Sequence, residues 1–240
     1  MNTYLVPTLL ILLSACIIGC QPKTTETDTQ QVQVVGAMRK TIWEGELEAK
    51  VLLDSLAGTK GLYGLGPLAY LRGELLLMDG RSYVSRVQSD TTMTVEETAT
   101  AGAPFFVYAQ VQEWEELPLP DTLHSISDIE AFIQTTAGNK DKPFAFRLVG
   151  RIDSAHIHIQ QLPEGATVSS PEEAHQGQVS YALGQEEVEI IGFYSTRHKG
   201  IFTHHDSYLH MHLITADKQK MGHLDDVHLA AMTLYLPKER

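Results

Sequence analysis

The chain has 240 residues, with 18 Lys and Arg against 30 Asp and Glu, a formal charge of −12, and 43% hydrophobic residues. This composition excludes intrinsic disorder and leaves room for one large domain or two small ones, while the acidic balance argues against nucleic acid, whose binding needs a basic face. Cys16 and Cys20 are its only cysteines, which excludes a disulfide framework and a Cys-rich zinc finger, so a metal site in the body of the chain must use His, Asp or Glu.

In chain order, Leu5–Ile18 comes first, an uncharged run shorter than the ~20 residues of a membrane span and suited to a signal-peptide core. It ends in Ile17-Ile18-Gly19-Cys20, which resembles the lipobox of bacterial lipoprotein signals. That resemblance implies cleavage before Cys20, a diacylglyceryl group on its thiol, and a mature protein held outside the cytoplasm on a membrane. Residues 1–19 are thus expected as a signal peptide, 20–40 as the lipidated cysteine and a polar Thr/Gln-rich tether, and 41–240 as the folded domain.

Ala49–Ala57 predicts a short helix stopped by Gly58. Tyr70–Val87 predicts a hairpin turning at Asp79-Gly80, and Phe105–Val111 a strand. Ser127 and Glu130 have the spacing of a capping box, opening a helix over Ile129–Thr135 that Gly138 closes. Strands are expected at Phe144–Val149, Ala155–Gln161, Val188–Tyr194, Tyr208–Thr215 and Met232–Leu236. The class is α+β, mainly β, with few short helices. No fixed-period repeat, Gly-rich phosphate loop or G-x-S-x-G is present, which disfavours solenoids, dinucleotide folds and an α/β-hydrolase nucleophile.

Eleven histidines occur, and their spacing is informative. His210 and His212 alternate within a strand-like run, so both project from one face. After the polar turn Ala216–Lys220 comes Gly222-His223, and a chain returning beside the first strand brings His223 to the pair. Three imidazoles form a common catalytic zinc set with one position open, so Zn2+ is the expected cofactor. The bland alternative is a solvent-exposed hairpin with polar-face histidines. His156 and His158 form a second H-x-H without a third ligand at an obvious spacing, and His204, His205 and His228 read as loop or surface residues.

At this point the chain resembles the α-acetolactate decarboxylase family. Its H-L-H-F-I and G-G-H-V segments are similar to His210–Ile214 and Met221–Leu224, with equal histidine spacing. Its G-D-F-G-L-G-T-F-N-A-L-D-G-E is similar to Gly61–Glu74, and its P-F-A-x-V, Y-A-I-R-I-D-G and G-T-x-V-G-F blocks fit Pro104–Val107, Phe144–Gly150 and the surroundings of Ile191–Phe193. The blocks keep their order from about residue 41 to 230. The resemblance implies mixed sheets, a zinc site at His210, His212 and His223, and decarboxylation of 2-acetolactate to acetoin. It also implies a homodimer, without identifying an interface.

Departures fall at functional positions. The family's catalytic arginine falls on His158, the Thr of G-L-G-T-F becomes Pro67, and a further family glutamate belongs to a C-terminal extension beyond Arg240. Glu74 is the expected proton donor or metal-adjacent carboxylate. His158 is expected to bind the substrate carboxylate, donate a proton, or act as a fourth ligand, with Arg147 or Arg151 as other sources of a cation. The alternatives are an enzyme of the same fold acting on another 2-hydroxy-3-oxo acid or an ester, or a non-catalytic zinc-binding lipoprotein.

Overall fold

The computed structural model describes Met1 and residues 31–137, 141–203 and 206–238. The expected signal peptide, Cys20, Gly138, His204 and His205 lie outside the described residues.

Alternation of side chains along the strands decides how the layers stack. The strands are β1 (Gln33–Val35), β2 (Val51–Leu52), β3 (Leu62–Pro67), β4 (Glu74–Met78), β5 (Arg81–Ser89), β6 (Thr92–Glu97), β7 (Gly102–Ala103), β8 (Phe106–Gln110), β9 (Trp114–Pro118), β10 (Phe144–Ile159), β11 (Val179–Leu183), β12 (Glu186–Tyr194), β13 (Leu209–Thr215) and β14 (Met221–Pro237). The helices are α1 (Met38–Glu44), α2 (Ile126–Thr136) and the single turn α3 (Pro171–Ala174). One sheet has the order β1-β8-β3-β4-β5-β6, the other β11-β10-β12-β13-β14-β9, and β2 pairs with β7. Because β14 also pairs with β10, the second sheet closes on itself. The mainly-β α+β class expected from the sequence is the one observed, although the sheets, expected as mixed, are antiparallel in every ladder among the described strands.

In β12 and β13, Ile190, Tyr194, Leu209, Met211 and Leu213 pack into one core under α2. Their alternates Ile191, Phe193 and Ile214 pack with Leu65, Leu76 and Val107 of the first sheet. Leu75, Leu77 and Phe106 fill a third core on the far face of that sheet. The first sheet is thus buried on both faces, and the layer between the sheets is the one that Glu74, His210 and His212 share by parity with Leu76 and Ile214.

Asp79 and Gly80 form the expected hairpin turn with φ of 49° and 80°, the positive values that a two-residue primed turn requires. Three expectations are corrected. Residues 49–57 are not a helix: Val51 and Leu52 pair with Ala103 and Gly102, and the Leu53 N–H donates to Ala101 O at 2.8 Å, which commits this stretch to a strand and a short 3-10 turn. α2 starts one frame earlier than expected, because Ser125 and Asp128 cap it reciprocally, leaving Glu130 to accept from Ser207 Oγ and the Tyr208 N–H. Residues 33–40, expected as tether, carry β1 and the start of α1, and β1 pairs with β8.

β14 runs close to β10 at Gly222, where an added Cβ would lie 2.6 Å from the His158 carbonyl oxygen. Glycine there lets His158 and His223 sit directly opposite each other. Gly222→Ala is therefore expected to destabilise the fold by about 1–3 kcal/mol, read as a lowered Tm; an unchanged Tm would show that the strands tolerate the extra volume.

Candidate metal centre

Register places the histidines. β13 and β14 pair with His212 opposite His223, and β14 and β10 pair with His223 opposite His158, so three imidazoles stand in a row across three strands. His210 lies two residues along β13 on the same face as His212. The ring centroids of His210, His212 and His223 form a near-equilateral triangle of 5.0, 5.4 and 5.4 Å. All three residues are buried, and their candidate ligand nitrogens lie within 4.8 Å of one another. Imidazoles sharing one tetrahedral ion at ~2.0–2.1 Å need donor atoms roughly 3.4 Å apart, which small side-chain rotations supply. The donor set, three neutral nitrogens with no thiol, fits zinc.

Glu74 reaches this group from the other sheet. It is 2% exposed, with Oε2 3.6 Å from His212 Nε2 and Oε1 accepting from the Gln160 N–H at 3.2 Å. Burial pushes its carboxyl well above the usual carboxylate range; the Gln160 N–H pulls the other way, and the Asp225 charge adds to the rise.

His158 and His156 separate although two positions apart in sequence. Asp225 is an extra residue in β14, since His156 pairs with Asp226 and Ile157 with Leu224. This irregularity re-aims Asp225 of β14, which reaches His158, as bulges do beside functional sites. His156 is exposed near Asp226, whereas His158 is buried with its Nδ1 2.7 Å from Asp225 Oδ1 and its ring 4.6 Å from that of His223. A second potential ligand group, His158, His223 and Asp225, therefore shares one histidine with the first.

These residues open on a pocket of about 70 Å³ lined on one side by Glu74, His158, Gln160, His175, His210 and His223, and on the other by apolar side chains including Ile42, Pro67, Leu71 and Phe105. A single water needs ~10–15 Å³ on this measure, so the space suits a molecule of a few heavy atoms. Tyr70 and Leu71 both take left-handed φ, 59° and 50°, an uncommon state for such residues, and Leu71 forms part of the wall. Burial, and then the nearby His158, hold the His175 imidazole below its ordinary range.

Among the described residues, no Lys or Arg lines the pocket. Arg147 is turned to Glu189, with Nε 2.8 Å from Oε1, and is surrounded by the rings of Tyr63, Trp114 and Tyr235 at 5.2–5.5 Å. Arg151 is exposed. Neither supplies the cation considered from the sequence. The residues that sequence reasoning missed are Asp225, Gln160 and His175. Gln160 had a signal, since it follows His158 by two in the strand expected over Ala155–Gln161, although β10 itself ends at Ile159.

The arrangement predicts that purified protein takes up a single equivalent of zinc, that His212→Ala loses it, and that His156→Ala retains it, as measured by equilibrium dialysis and elemental analysis. Retention by His212→Ala would place the ion elsewhere.

With this geometry in view, the relatives are informative. Residues 30–238 match the family model described as Alpha-acetolactate decarboxylase. Alpha-acetolactate decarboxylase of Klebsiella aerogenes is 25% identical over 221 residues, covering 90% of this chain and 78% of that protein. The crystal structure of alpha-acetolactate decarboxylase from Bacillus subtilis strain 168 superposes with a TM-score of 0.73 at 22% identity, over 88% of this chain and 86% of that one. A Staphylococcus aureus protein of unknown function, described as similar to alpha-acetolactate decarboxylase, gives a TM-score of 0.74 at 16% identity, over 85% and 84% of the two chains. The chain belongs to the alpha-acetolactate decarboxylase family.

Proposed function

We propose that this protein is a zinc-dependent decarboxylase that converts 2-acetolactate to acetoin. The observation that carries the reading is the buried tripod His210, His212 and His223, of which His210 and His223 line a small pocket with Glu74 in its wall, in a chain whose family match spans nearly all of the described fold. In the reaction the bond to the carboxylate breaks, CO2 leaves, the electron pair moves to the ketone oxygen, and a proton returns to the carbon that lost CO2. Zinc held by the tripod supplies Lewis-acid stabilisation of the charge that develops on oxygen.

The chain's own residues do the rest. Glu74 stands at the pocket wall between the tripod and Gln160, where its carboxyl delivers the proton to one face of the substrate. His158, held by Asp225, is the second group placed to touch substrate. Pro67, Leu71 and Phe105 form the apolar side that receives methyl groups and excludes water. We also propose that the protein works outside the cytoplasm, anchored through Cys20, on the support of the Ile17–Cys20 motif.

The zinc-loaded protein lacking residues 1–20 is expected to release acetoin from 2-acetolactate. Chelation should remove the activity and zinc restore it, and Glu74→Gln should lower kcat by roughly 10²–10⁴-fold. No acetoin from a folded, zinc-bound protein would overturn the reading. The lack of Lys and Arg among the described residues of the pocket lining favours a second one: hydrolysis of a small ester, which metal-dependent turnover of an ester panel would reveal.

A further inference from the structure

The polar groups lining the metal pocket differ in how deeply they lie. Glu74, His158, Gln160, His210 and His223 are buried, whereas His175 is exposed to solvent while lining the same space. The buried groups are engaged: His210 and His223 belong to the tripod, His158 is paired with Asp225, and Glu74 lies between His212 and the Gln160 backbone. Among the described residues the His175 ring has no hydrogen-bond or ion-pair partner. An imidazole carries at least one N–H in either protonation state, so this ring offers the pocket a donor.

The local fold fixes where that donor stands. Ser170 caps the single turn α3, its Oγ accepting from the Glu173 N–H at 3.2 Å, with Pro171 at the first position. Ala174 packs into a small core with Leu47, Leu71, Leu162 and Val168, which anchors the turn against the apolar wall. His175 follows directly, its N–H donating to Pro171 O and its C=O accepting from the Gln178 N–H, both at 3.0 Å. The Gln178 and Gln160 side chains are hydrogen bonded at 3.2 Å, so this loop closes beside the end of β10. There the His158 ring and the Asp225 carboxylate both act electrostatically on the His175 ring, which stands on the pocket's side.

A pocket built this way suits a ligand with two unlike ends. Oxygens that meet the tripod lie at the buried end, and a carboxylate is left toward the exposed one, where desolvating its charge costs least. Among the described residues no Lys or Arg of the lining meets that charge, and the exposed imidazole does. We propose that His175 is a specificity-determining residue whose ring N–H donates a hydrogen bond to the carboxylate of a 2-hydroxy-3-oxo acid. The inference rests on the substrate pocket assigned above and adds the residue that receives the acid group. A hydrogen bond to a charged oxygen is the stronger kind, so the site discriminates against an analogue without the carboxylate. The same placement points the bond that breaks toward solvent, into which CO2 departs.

The test is a binding comparison on the zinc-loaded protein by calorimetry. The ligands are 2,3-dihydroxy-2-methylbutanoate, which has no 3-oxo group and cannot decarboxylate, and 2-methylbutane-2,3-diol, in which a methyl replaces the carboxylate. The native protein should bind the acid more tightly, and His175→Leu should weaken the acid by roughly tenfold while leaving the diol within about threefold. An acid held no better than the diol by the native protein, an unchanged acid affinity in the variant, or an equal weakening of both ligands would overturn the proposal. Should His175→Leu fail to fold, the native protein alone decides. At saturation the acid should slow carbethoxylation of His175 by diethyl pyrocarbonate, read by peptide mass spectrometry, and the diol should slow it less. Equal protection by both, or by neither, would overturn the proposal. The read-out is separate from turnover. Acid binding weakened by His175→Leu, in a protein that yields no acetoin, would refute decarboxylation and leave the carboxylate site standing.

Discussion

The register between β14 and its two neighbours is the constraint on which the rest of the site depends. His223 is paired with His212 on one side and His158 on the other, so one strand position controls three imidazoles. A slip of one residue in β13 would turn His210 and His212 toward the core under α2 and bring Met211 and Leu213 to face the other sheet. The hydrophobic pattern forbids this, because both layers are filled by residues of the correct parity. The apolar packing therefore specifies the polar site, although none of the site's polar groups contributes to that packing.

A cluster of four histidines and a carboxylate between two apolar sheets is costly unless something compensates it. The compensations are visible in part. Asp225, admitted by the irregularity in β14, satisfies one nitrogen of His158, and the Gln160 backbone satisfies one oxygen of Glu74. The tilted ring contact of His158 with His223 then ties the polar side of the pocket to the tripod. A divalent ion bound by the tripod would be the largest single compensation, and it would also change the electrostatic setting of Glu74. The closed second sheet and the doubly buried first sheet hold these groups with little freedom, which suits a site that must keep the developing charge aligned with its stabilising groups.

Much of this was legible in the sequence because strand parity and a tight turn are local properties. His210 and His212 share a face by alternation, and the polar turn at 216–220 returns His223 beside them. The hairpin at Asp79-Gly80 was legible for the same reason. What escaped depends on contacts distant in sequence or on an exception to alternation. The role of Asp225 requires an extra residue in β14 that no propensity signals. α1 begins at Met38 behind an N-cap, Ala37, that has no capping side chain, and so carries no start signal. Residues 49–57 have helical composition but are taken by pairing to residues 101–103. Arg147 could be placed near the site by its neighbours in sequence, yet parity and Glu189 turn it into an aromatic enclosure instead.

The proposed metal centre places one ion on His210, His212 and His223 together. X-ray absorption spectroscopy of the zinc-loaded protein tests it most directly. The claim predicts a nitrogen and oxygen first shell at ~2.0–2.1 Å with the outer-shell scattering of three imidazoles and one lighter open position. A shell with one imidazole or none, or an oxygen-rich shell typical of exposed carboxylates, would contradict it.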